Sequence, residues 1–106
     1  MAVILVLEDD TTTRDALTET LGRLFPRARV IATRTDAGPT VVLAALPVAE
    51  RICREQPYLA ARVVALTHAM GPETLMRAEA LGVFASLRAP ASAEHLQAVL
   101  GPMLDG

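Results

Sequence analysis

The run Val3-Ile4-Leu5-Val6-Leu7 is unbroken by any polar residue and stops at three adjacent acids, Glu8, Asp9 and Asp10. A strand without polar alternation is buried on both faces, which calls for a parallel sheet covered by helices. In such sheets ligands bind beyond the carboxyl ends of the strands, where these acids stand. Carboxylates placed there can hold Mg²⁺, a hard cation that takes few protein oxygens and keeps several waters. Such an ion stabilises a phosphoryl group in transfer. The competing reading is that the acids are solvated helix-entry residues favoured by the helix dipole.

The rest of the chain alternates between strand and helix patterns. Strands are expected over residues 2–7, 29–33, 40–44, 62–67 and 83–87, each short and rich in Val, Ile, Leu or Ala. A Thr three residues before Asp15 can form a capping box, and Leu17, Leu21, Leu24 and Phe25 then give one apolar helical stripe that Pro26 ends. Pro47 opens a helix through Gln56, with Val48, Ile52 and Cys53 on its inner face. A third helix enters at Gly71-Pro72-Glu73 and stops at Gly82. Its Leu75 and Met76 are expected to pack on the sheet rather than meet a partner. Ser92 caps the last helix, whose stripe is Leu96, Val99, Leu100 and Met103. The alternation predicts an open α/β sheet.

Only turn chemistry, Thr35-Asp36-Ala37-Gly38-Pro39, separates the second and third expected strands. Parallel neighbours normally need a crossover helix, so one is missing here. The sheet face it leaves bare is expected to be covered by self-association or by a protein partner.

At 106 residues the chain is read as one domain, residues 1–106. Apolar residues are 52% and aromatics 3%, so the core must be built from Ala, Val and Leu. A net charge of −2 gives no support for nucleic-acid binding. Cys53 has no partner for a disulfide or a CxxC pair and reads as core filler in a reducing compartment. With neither a signal peptide nor an apolar stretch near the ~20 residues of a membrane span, a cytoplasmic chain is expected. There is no GxGxxG and no GxxxxGK[ST], which argues against dinucleotide and P-loop chemistry. All ten basic residues are Arg.

Thr67 brings a hydroxyl to the same sheet edge as the acids, while the adjacent His68 is read as a surface residue. At this point the chain resembles the receiver domain of bacterial response regulators, a CheY-like superfamily. The acidic triplet looks like the family's acidic pocket and Val63-Val64-Ala65-Leu66-Thr67 like its fourth strand with the switch hydroxyl. Ala78-Glu79-Ala80-Leu81-Gly82-Val83, Leu87-Arg88-Ala89-Pro90 and Ser92-Ala93-Glu94-His95-Leu96 resemble its later passages. The resemblance implies a doubly wound, five-stranded parallel sheet of flavodoxin-like type, order 2-1-3-4-5, here lacking the helix between strands 2 and 3. It also implies a non-enzymatic role in two-component signalling, with a histidine kinase as upstream partner.

Three of the family's roles stand vacant. From Ala37 to Ala49 there is no carboxylate in any register, although the family's phosphoaccepting Asp would end the third strand there. Ala89 occupies the lysine position, and Arg88 is one residue off, on the wrong side of an alternating strand. Ser86 occupies the switch-aromatic position, with Phe84 two residues earlier on the same face. The expectation is therefore a pseudo-receiver acting through protein contacts. Glu8 and Asp9 would keep a weak Mg²⁺ site or none, and no cofactor is required. The alternatives are a working receiver with Asp36 as acceptor, which needs residues 30–35 to be the third strand, and a metal- or small-ligand-binding α/β domain.

Overall fold

Five parallel strands in the order β2-β1-β3-β4-β5 form the sheet in the computed structural model, which describes residues 2–32, 38–68 and 71–105. Chain order is β1 (Val3–Leu7), α1 (Thr11–Leu24), β2 (Arg29–Ile31), β3 (Val41–Ala45), α2 (Leu46–Glu55), a 3-10 helix (Pro57–Arg62), β4 (Val63–Thr67), α3 (Pro72–Ala80), β5 (Ala85–Arg88) and α4 (Ala93–Asp105). The doubly wound sheet and its strand order are those the resemblance implied. No described residue between Ile31 and Val41 is helical.

Strand alternation divides the core into two layers. Ile4, Val6, Val41, Leu43, Val64 and Leu66 face α1 and α4, where they meet Leu17, Leu21, Leu96 and Leu100. Leu5, Val42, Ala44, Val63 and Ala65 face the other way, against Ala49, Ile52 and Cys53 of α2 and Ala78 of α3. Helix α3 joins this side through the small side chain of Ala78. Burial pushes the Cys53 thiol pKa up, as befits a packed side chain rather than a reactive one.

Several boundaries move. Thr40 lies just outside β3 but anchors it to β1: its N–H donates to the Val3 carbonyl at 2.8 Å and its Oγ1 accepts from Val3 N–H at 3.1 Å. The third strand consequently runs one residue later than the sequence suggested, ending at Ala45. Residues 83 and 84 stay outside β5, and Thr33, expected in β2, lies outside the described residues. The 3-10 helix was not foreseen. It buries Leu59 beneath α2 and brings Arg62 to the Pro39 carbonyl, a 3.0 Å hydrogen bond.

Three further expectations bear on packing and capping. Of the sheet face expected to be bare, Leu5 is buried while Leu7 and Ile31 are half-buried, in one apolar cluster with Val48 and Ile52 of α2. Leu75 and Met76 do not pack on the sheet: they are 41% and 67% exposed. Ala78 is the buried residue of α3, and Met76, two positions earlier, lies on the opposite side of the helix. Finally, the cap of α1 is Asp10 rather than a Thr, with Thr13 N–H donating to its Oδ2 at 2.9 Å. Gly82, at φ +75°, ends the α3 region in a conformation that disfavours a side chain. Among the described residues no helix is long and apolar enough to cross a membrane.

Two outcomes test this packing. Leu100→Ala, at a fully buried position, is expected to lower unfolding free energy by about 3 kcal/mol, while Met76→Ala changes it by less than about 0.5 kcal/mol; urea titrations of both variants check it. The Thr13 hydroxyl and backbone N–H hold the Asp10 carboxyl below its ordinary pKa. A carboxylate depressed by folding stabilises above its unfolded pKa and loses that contribution as pH falls through the folded value. Asp10→Ala should therefore lower the thermal midpoint at pH 7, with the gap to the parent closing in acid, as thermal melts from pH 7 to 2 would show.

Candidate functional site

The parallel ladder brings the ends of β1, β3 and β4 to one edge. Leu7 pairs with Ala44, so Glu8 and Ala45 stand one step beyond that pair, side by side. Ala45 in turn pairs with Leu66, and Thr67 with Arg88. An alanine thus occupies the carboxyl end of β3. No described residue from Gly38 to Ala49 carries a carboxylate.

The acids behave differently from one another. Asp10 is committed to the α1 cap and does not line the cleft next to it. This corrects its expected place in the acidic pocket. Glu8 is half-buried and accepts a hydrogen bond at Oε1 from Asp10 N–H at 3.1 Å, while Asp9 is exposed. Glu8 and Asp9 line a cavity of about 180 Å³ whose other charged residues are Arg14 from α1 and Arg51 from α2. Leu7, Val48 and Ile52 supply its apolar wall. Among the described residues no ion pair links either arginine to Glu8 or Asp9; Arg14 approaches Asp15 at 4.0 Å.

Thr67 is buried at 3% exposure, at the end of β4. Ala89 N–H donates to the Thr67 carbonyl at 2.7 Å, extending the β4–β5 ladder past Arg88 and into a cis Ala89–Pro90 peptide. Ala89 lines a second, larger cavity of about 270 Å³ with Thr12, Ala16, Leu17 and Leu66. The first turn of α1 thus borders both cavities, through Arg14 on the acidic side and Thr12 and Thr13 on the Ala89 side. Ser86 pairs with Ala65 inside β5 and is half-buried. Phe84, ahead of the strand, is 50% exposed and far from this edge. His68 is exposed.

Mg²⁺ is poorly matched by this donor set. Two carboxylates suffice for the ion mainly where phosphate oxygens complete its shell, and Ala45 offers none. Two guanidiniums line the same cleft, and no group of three or more His, Cys, Asp or Glu suited to a metal is present among the described residues. Arg14 and Arg51 were not singled out from the sequence. Arg14 lies on α1 and Arg51, distant from Glu8 in the chain, on α2, and only the packing of both helices against the sheet brings them to one cleft.

Asp36 lies outside the described residues. The register its role as acceptor required is not the one observed: Arg29–Ile31 is the outer strand, and Val41–Ala45 is a strand between β1 and β4 rather than part of a long helix.

No family model matches the chain, and no curated protein matches it. Solved structures do. The signal receiver domain of a DNA-binding response regulator from Colwellia psychrerythraea 34H superposes with a TM-score of 0.82 at 24% identity, covering 100% of both chains. The Vibrio cholerae chemotaxis protein CheY4 gives 0.79 at 19% identity, covering 98% of this chain and 99% of its own. A two-component response regulator from Legionella pneumophila gives 0.74 at 14% identity, with 100% of both chains covered. At these identities the likeness is one of architecture, and over its full length the chain has the fold of response-regulator receiver domains.

Proposed function

We propose that this chain is a receiver-fold signalling module that works through protein contacts and accepts no phosphoryl group. The observation that carries the reading is Ala45, seated where the β1–β3 register sets the end of the third strand beside Glu8. A methyl group has no oxygen to phosphorylate. Ala89 likewise supplies no cation to steady a phosphoryl group on the Thr67 side of the edge. A histidine kinase, if it docks here, would be a binding partner and not a donor.

Contacts are the remaining means of signalling. The exposed Leu75 and Met76 of α3 and Phe84 just before β5 belong to consecutive elements and offer apolar area to a protein partner or a second copy of the chain. The lone buried Cys53 suits a cytoplasmic setting.

The test restores what is missing. With Mg²⁺ and acetyl phosphate, the native chain should gain no base-labile phosphoryl adduct on a phosphate-affinity gel, whereas the Ala45→Asp, Ala89→Lys double variant should gain one. An adduct on the native chain would overturn the proposal. So would a correctly folded double variant that stays unmodified, because the edge would then lack receiver geometry.

A further inference from the structure

We propose that the cleft between β1, α1 and α2 binds a small zwitterion of the α-amino acid class. The inference stands on the cleft itself and does not depend on whether the β3 end accepts a phosphoryl group. Its lining holds two carboxylates, Glu8 and Asp9, and two guanidiniums, Arg14 and Arg51, around an apolar wall of Leu7, Val48 and Ile52.

The charge pattern selects the ligand. A bare cation entering the cleft meets two guanidiniums, and a bare anion meets two carboxylates. A molecule carrying both charges a few ångströms apart finds a partner for each. The opposing side chains have not cancelled one another, since no ion pair joins Arg14 or Arg51 to Glu8 or Asp9 among the described residues. Arg51 can present its planar fork to a carboxylate, the geometry in which guanidinium–carboxylate pairs are strongest. Glu8 gives one oxygen to Asp10 N–H and keeps further lone pairs for an ammonium group, which exposed Asp9 can share.

Size and polarity narrow the class. A cavity of about 180 Å³ falls below the ~300–1,000 Å³ of sites for drug-sized ligands, so the occupant is a small metabolite. The apolar wall favours a short aliphatic side chain over a second charge.

The experiment uses the whole native chain. Calorimetric melts are run with each of the protein amino acids at about 10 mM, a level that saturates sites of millimolar affinity. The strongest stabiliser is then titrated beside its two halves, the amine lacking the carboxylate and the acid lacking the amine. At least one amino acid should raise the melting midpoint, with each half binding at least about tenfold more weakly. Arg51→Gln and Asp9→Asn, both at exposed positions, should each weaken it by a similar factor while far-ultraviolet circular dichroism stays unchanged. The proposal is overturned if no amino acid binds, if either half binds as well as the whole, or if both variants bind like the parent.

Discussion

Strand β3 runs between β1 and β4 with Val41, Val42, Leu43 and Ala44 wholly excluded from water, and the remaining architecture follows from keeping it so. Burial on both faces requires helices on both sides, and parallel pairing requires that each connection return the chain to the same edge. The loops that carry polar chemistry are thereby gathered at the carboxyl ends of the strands. The Thr40–Val3 hydrogen bonds fix where β3 starts, and so fix Ala45 as the residue presented at its end. The side chain that ends the central strand is a methyl group.

The charged side chains near Ala45 are unevenly placed along the edge. Ala89, just past the end of β5, faces a separate cavity lined by Thr12, Ala16, Leu17 and Leu66. Arginines from α1 and α2 instead border the two remaining acids, on the β2 side of the edge rather than the β4 side. Two carboxylates and two guanidiniums line that cleft, and Thr67 is not among its lining residues.

The central strands were legible because β1, β3 and β4 are short, continuous apolar runs, whereas their order came from the resemblance and not from pattern. Helix stripes with large side chains, such as Leu17 with Leu21 and Leu96 with Leu100, were legible for a similar reason. Where small residues do the packing, periodicity misled: Ala78 makes the α3 contact, so Leu75 and Met76 seemed the better candidates. Asp10 was read as a pocket acid because its neighbours are acids, although an Asp three residues before Thr13 is equally a capping residue. The cleft arginines were beyond reach, since no local pattern links residues 8, 14 and 51. The absence of Lys is legible from composition alone, whereas the absence of a carboxylate at the end of the third strand depends on the register, which the pairing of Val41–Ala45 with β1 and β4 supplies.

The central claim is that the carboxyl edge of this receiver fold has no phosphoryl chemistry. It is tested most directly by the amide spectrum of the ¹⁵N-labelled native chain, recorded before and after addition of Mg²⁺ with acetyl phosphate. The account predicts that the amides of Ala45, Thr67 and Ala89 keep their positions. Saturable shifts at all three, persisting after acetyl phosphate is removed, would contradict it.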